Sequence, residues 1–277
     1  VNPPEIFDRA ARRLRRDRIA SRFAEADFLR SFMTEGLLER LNAVTREFGD
    51  VLDLGCFDAG LALPGTRIVR ADPGFAFARA AGGVQCEEDR LPFADGSFDL
   101  IVSAGTLDQV NDLPGALSLI RRALRPDGLF LAAFTGGSTL ATLRATFMAA
   151  ERERPAARVH PQVNLLSAGD LLMRAGFALP VADSETLNVR YASLGRLIED
   201  LRGMAATSLL VDRAPLSRAA LMAAAERFSE RADADGRVPE QFEVIYLTGW
   251  APSPDQPKPA RRGSATVSLA EALRPKR

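Results

Sequence analysis

Apolar positions change period along the chain. Between residues 5 and 47 they recur at helical spacing, first Ile6, Phe7, Ala10 and Leu14, then Phe28, Phe32, Leu37, Leu38 and Leu41. From residue 51 short apolar runs alternate with helical stretches. The runs at 51–54, 67–71, 84–86, 98–103 and 128–134 read as strands, and 74–82, 112–124 and 138–152 read as helices. Strands separated by helices predict an α/β fold, a parallel sheet with helices on both faces. A helix at 168–174 ends at Gly176, and strands fit 178–189 and 242–249. Between these two strands, 193–231 reads as a helical insertion in which Pro215 starts or interrupts a helix. Prolines 252, 254, 257 and 259 predict a stiff polar tail with little to bury. Three parts follow: a helical lid at 1–47, an α/β domain at 48–250 and a tail at 251–277.

The strand ends carry the candidate chemistry. The first strand runs into a tight loop, Val51-Leu-Asp-Leu-Gly-Cys-Phe-Asp-Ala-Gly60, and Asp72 closes the second apolar run. A glycine at the first turn lets backbone approach a ligand, and an acidic residue at the end of the next strand accepts from ribose hydroxyls. Gly55 stands where that pattern wants it, whereas Phe57 and Ala59 replace glycines. The Phe57 ring is expected to fill part of the ligand space, or to swing out and pack on a shortened crossover. Asp72 reads as a ribose ligand or as a turn-former before Pro73-Gly74. Asp53 either borders the ligand or orders the first loop through backbone N–H groups.

Composition removes whole classes of chemistry. Of 277 residues 47% are apolar, enough for a full core. Lys and Arg balance Asp and Glu at 36 each, so no global field favours nucleic acid or an anionic membrane. No apolar run approaches a membrane span. Two cysteines, Cys56 and Cys86, are too few for a disulfide scaffold and read as buried thiols of a soluble, cytoplasmic protein. With one histidine, His160, a single protomer cannot build a two-His-one-carboxylate iron site or a zinc site of usual ligand count. Val159-His160-Pro161 reads as a surface loop. Arg12, Arg13, Arg15, Arg16 and Arg18 crowd the first helix, either as a solvated face or as a lid bringing an arginine over a ligand carboxylate or an acidic partner.

Taken together, Asp53, Gly55, Asp72, the stretch Glu87-Glu-Asp-Arg-Leu-Pro-Phe-Ala-Asp-Gly-Ser-Phe-Asp99 and Leu124-Arg-Pro-Asp-Gly128 resemble the class I S-adenosylmethionine-dependent methyltransferases. The resemblance implies a Rossmann-like, seven-stranded, mostly parallel sheet with a reversed final hairpin, and S-adenosylmethionine as cofactor. It implies that Glu87 binds near the adenine amino group, the alternative being a solvated acidic loop, and that Ser103 and Ala104 border the methionine end. Asp108 would orient or deprotonate an acceptor, or cap the helix that follows. A narrower likeness rests on Phe7-Asp-Arg9, Val110-Asn-Asp-Leu-Pro114, Gly136-Gly-Ser-Thr-Leu140, Asp200-Leu-Arg-Gly-Met204, Ile245-Tyr-Leu-Thr-Gly-Trp250 and Arg262-Gly-Ser-Ala-Thr-Val-Ser268. These are similar to the methyltransferase-like assembly factors of respiratory complex I, which are related to the malonyl-carrier methyltransferases of biotin synthesis. The mitochondrial member is known as a protein arginine hydroxylase, and the implied partner is a complex I subunit. Two alternatives stay open: a carboxyl or small-molecule methyltransferase of the biotin type, and a binding protein that has lost the cofactor. The chain departs from the family at Phe57-Asp-Ala59, in the short crossover 60–67, at Asp108-Gln109 and at Ala205-Ala-Thr-Ser208.

Overall fold

Period-two alternation places the central strands. In β1 (Asp50–Leu54) Val51 packs into the core on one face of the sheet and Leu52 and Leu54 into the core on the other. β5 (Leu124–Gly136) does the same, with Leu129, Leu131 and Ala133 against Phe130, Ala132 and Phe134. Strands apolar on both faces need cover on both. The computed structural model describes residues 5–152 and 155–256 and supplies that cover. Seven strands run in the order β3-β2-β1-β4-β5-β7-β6. β1, β2 (Arg67–Asp72), β3 (Val84–Gln85), β4 (Phe98–Ala104) and β5 are parallel. β7 (Val238–Trp250) is antiparallel to both β5 and β6 (Ala178–Tyr191), which gives the reversed hairpin.

Eight helices surround the sheet among the described residues: α1 (Arg9–Ile19), α2 (Phe28–Asn42), α3 (Phe75–Ala80), α4 (Leu113–Ala123), α5 (Ala141–Ala150), α6 (Leu165–Arg174), α7 (Leu194–Gly203) and α8 (Arg218–Ser229). The Asp112, Asn164, Ser193 and Ser217 side chains each accept from the backbone N–H three residues on, fixing the starts of α4, α6, α7 and α8. The side chains of α2, α5, α7 and α8 fill one core and those of α4 and α6 the other.

The α/β, seven-stranded, mostly parallel fold is therefore as expected, with four local differences. β5 begins at Leu124, ahead of the Arg125-Pro-Asp-Gly128 turn, which becomes an irregularity inside the strand. The 5–47 helical region breaks at 20–27, leaving one 3-10 turn at Phe23–Glu25 between α1 and α2. Pro215 lies in irregular chain ahead of α8, and 204–217 is irregular rather than helical. The start of the tail folds back, since Gln256 Nε2 donates to Asp127 Oδ1 and to the Ala251 carbonyl, both at 2.9 Å. The rest of the tail, including the 262–268 motif, lies outside the described residues. No helix among the described residues is long and apolar enough to cross a membrane.

Candidate functional site

The carboxyl ends of β1, β2, β3 and β4 meet under α1. Gly55 (φ 79°) makes the turn after β1, and a Cβ there would lie 2.3 Å from Thr106 Cγ2. Phe57 and Ala59 hold φ values of 47° and 62°, so the loop keeps a glycine conformation without glycines. No helix follows it before β2, as Pro64-Gly65 and the short crossover require. The Phe57 ring is 4% exposed, stacks on Phe23 at 4.6 Å between centroids and meets Phe77 edge-on at 5.3 Å. It therefore turns inward and fills space beside the strand ends.

Asp72 is fully buried and carries four hydrogen bonds. Arg16 donates from Nε (2.9 Å) and Nη2 (2.5 Å), and the backbone N–H groups of Phe57 (3.0 Å) and Gly74 (2.7 Å) complete the set. The Arg16 guanidinium also lies 3.8 Å over the Phe57 ring. One turn earlier on α1, Arg12 donates to Glu87 Oε2 at 3.0 Å and to Glu88 at 2.6 and 2.9 Å. Arg9 grips Asp89 with two bonds of 2.7 and 2.6 Å, and Arg13 reaches Glu87 at 2.7 Å. Two readings are thereby corrected. Arg12 and Arg16, each 2% exposed, are not a solvated face, and Glu87 and Glu88 are not a solvated loop. Guanidiniums and carboxylates enter the interior together because their mutual attraction and hydrogen bonds offset a desolvation cost that either alone would bear in full.

Two of the sequence motifs pin α1 in place. Asn111 Oδ1 accepts from the N–H groups of Ile6 and Phe7, and Asn111 Nδ2 donates to the Phe7 carbonyl. Phe7 bridges to Leu210, and the Asp8 side chain caps α1 through the Ala11 N–H. His160 is buried rather than superficial. Its Nε2 accepts from the Leu209 N–H at 2.7 Å, its ring packs edge-on to Phe7, and burial followed by Arg15 and Arg12 lowers its pKa to about 4. This role needed the fold to become visible, because residue 160 and residue 209 share no sequence signal.

Beyond Phe57, away from α3, lies a cavity of about 320 Å³. Leu29, Met33, Leu143, Phe147, Leu201 and Phe242 form much of its apolar wall, and Asp108, Arg30 and His160 bring polar groups to it. Asp108 sits on a 3-10 turn after β4 and accepts from Thr135 Oγ1 at 2.8 Å. Burial raises its pKa, opposed by the Thr135 bond and by Arg12. It does not cap α4, which is Asp112's role. Asp53 is buried with Oδ2 unpartnered and Arg30 3.9 Å from Oδ1, and burial lifts its pKa to about 6. It does not order the loop through backbone bonds. Ser103 is buried and bonded to Thr106 Oγ1 at 3.1 Å. The structure thus collects Asp53, Gly55, Phe57, Asp72, Glu87 and Ser103 at one end of the sheet, with Asp108 in the adjoining cavity. The lid reading of the arginine-rich helix named Arg12 and Arg16 but expected a ligand or partner carboxylate, whereas their partners are the chain's own Glu87, Glu88 and Asp72.

A family model described as Methyltransferase domain matches residues 52–132. Arginine-hydroxylase NDUFAF5, mitochondrial, of zebrafish (Danio rerio) is 34% identical over 96% of this chain and 89% of its own length. The human protein of that name is 35% identical over 96% and 83%. The chain belongs to the NDUFAF5 family. A malonyl-[acyl-carrier protein] O-methyltransferase of Halorhodospira halophila is 32% identical over 90% of this chain and 91% of its own, so the link to the biotin-type enzymes also holds. Among solved structures, a SAM-dependent methyltransferase of Thermotoga maritima superposes with a TM-score of 0.51 at 15% identity, covering 86% of this chain and 99% of that one, which shows the fold. The expectation of a cytoplasmic protein does not stand, because the NDUFAF5 relatives are named as mitochondrial.

S-adenosylmethionine is the cofactor that the methyltransferase domain implies. The residues fit it in kind and not in arrangement. Asp72 and Glu87 end β2 and follow β3, where carboxylates suit ribose and adenine, yet both are already engaged by α1, and Phe57 lies in the same space.

Proposed function

We propose that this chain is a methyltransferase-like factor that acts on a side chain of a protein partner during assembly of respiratory complex I. The observation that carries the reading is the cavity beside Phe57, apolar in its walls and ending on Asp108. An apolar sleeve suits the methylene stem of a long side chain, and a carboxylate whose pKa burial has raised gains from a cationic tip. NDUFAF5 relatives named as arginine-hydroxylases, matched over nearly the whole chain, support a protein substrate and a guanidinium-bearing one. Asp108 is the residue assigned to hold that tip.

A second reading has its own observation. The Arg16–Asp72 pair favours a binding protein that keeps the fold and uses the cofactor end structurally. The biotin-type reading rests on sequence likeness alone.

Deletion of the gene is expected to deplete assembled complex I and its NADH dehydrogenase activity. The wild-type chain should restore both, and Asp108→Asn should restore less than about a tenth of the activity. Recovery of the deletion strain on added biotin would overturn the assembly reading. Full rescue by Asp108→Asn would leave the binding-protein reading as the better one.

A further inference from the structure

We infer that α1 is a built-in competitor of S-adenosylmethionine: Asp72, Glu87 and Glu88 form a guanidinium-binding site that Arg16 and Arg12 fill in cis, and cofactor and α1 exclude each other. The inference goes beyond the reading above and rests on the placement of the cofactor at Asp72 and Glu87.

Three observations carry it. First, a carboxylate offers about four acceptor positions. At Asp72 all are taken, by Arg16 Nε, Arg16 Nη2, Phe57 N–H and Gly74 N–H, so ribose hydroxyls find no acceptor. Second, the space itself is filled. The Phe57 ring is held inward by Phe23 and Phe77 and covered by the Arg16 guanidinium, and Arg16 Cβ lies where a Cβ on Gly74 would be only 2.8 Å away. Third, a second guanidinium is buried in the same acidic row. Arg12 has three bonds to Glu87 and Glu88 and a fourth, 3.0 Å, to the Thr106 carbonyl. The phenylalanine in the glycine loop and the two arginines of α1 are therefore parts of one device. Phe57 supplies the π-face and a backbone N–H, and α1 supplies the cations. Entry of the nucleoside requires α1 to leave, and its departure exposes a buried acidic row that the cofactor's hydroxyls and amino group, or another guanidinium, must satisfy.

The test uses the full chain. Isothermal titration with S-adenosylmethionine should give an affinity at least about tenfold tighter for Arg12→Ala/Arg16→Ala than for wild type. N-ethylguanidinium at millimolar concentration should raise the melting temperature of the double variant and compete with S-adenosylmethionine for it. Should that variant fail to fold, wild type alone decides. Hydrogen exchange of amides 9–19 should accelerate when S-adenosylmethionine binds. Three results would each overturn the inference: wild type binding as tightly as the double variant, a folded double variant with no measurable binding, or cofactor binding to wild type with α1 protection unchanged. None of them touches the assembly reading, which stands or falls on rescue of complex I in the deletion strain.

Discussion

The two halves of the candidate site are built on opposite principles. At the ends of β2 and β3, four carboxylates meet four guanidiniums of α1 in a densely bonded cluster whose Arg12 and Arg16 members are buried. Past Phe57 the walls are apolar, the cavity stays open, and Asp108 has one side-chain partner, Thr135. The first half spends its polar groups on internal order, and the second leaves a charge free for something that arrives. A site that had simply decayed would show loss on both sides. Here one side has been filled with specific, mutually dependent parts, and the other has kept its room.

The strongest way to break this contrast is Arg16→Ala. It strands a fully buried Asp72 beside an emptied ring face, and removing one partner of a buried pair costs about 3–5 kcal/mol. Thermal or urea unfolding at neutral pH measures it. A loss below about 1 kcal/mol would mean that water takes the guanidinium's place and that the cluster is not sealed.

The boundary of the cavity offers the next test. His160 is held neutral, with a pKa near 4 against 6.5 when exposed. A base depressed on folding contributes stability above its unfolded pKa, and that contribution is lost as pH falls from 6.5 toward 4. Across that window the contribution amounts to about 3 kcal/mol. His160→Gln retains an acceptor for the Leu209 N–H and should remove that acid-sensitive component, read as a flatter stability profile across the window. An unchanged profile would place the acid sensitivity elsewhere.

Asp53 joins the two halves and works with opposite sign. Its pKa rises from 3.8 to about 6 through burial, so the protonated form is favoured by folding and stability is lost as pH climbs through that interval. Asp53→Asn should therefore stabilise the protein at pH 7, by about 1–2 kcal/mol after allowing for the distant Arg30. The gain should vanish below pH 4. A loss at pH 7 would show Asp53 bound to a cation more closely than its 3.9 Å separation from Arg30 indicates.

How much of this was legible depends on distance along the chain. Strand and helix order could be read because period is local, and both faces of β1 and β5 are apolar for a reason visible within five residues. The glycine replacements at 57 and 59 pointed to a blocked pocket for the same local reason. What the sequence concealed were pairings across long separations. Arg16 meets Asp72 56 residues away, Arg12 meets Glu88 76 away, and His160 meets Leu209 49 away. An arginine-rich helix face looks solvated until the carboxylates opposite it are placed. The acidic run Glu87-Glu-Asp89 looked solvated for the complementary reason.

Ala59 gives the smallest and most local test. Its φ of 62° is a conformation that costs an L-residue about 1–2 kcal/mol and glycine almost nothing. Glycine loses more backbone entropy on folding, by about 0.5–1 kcal/mol, so Ala59→Gly should stabilise by no more than about 1 kcal/mol. Because Ala59 makes none of the bonds that seal Asp72, the same variant should leave S-adenosylmethionine affinity where it was. A tenfold gain in affinity from Ala59→Gly alone would mean that loop rigidity, and not the arginines of α1, closes the nucleoside end. The sealed half would then be a consequence of the loop, and the contrast between the halves would rest on the crossover instead of the helix.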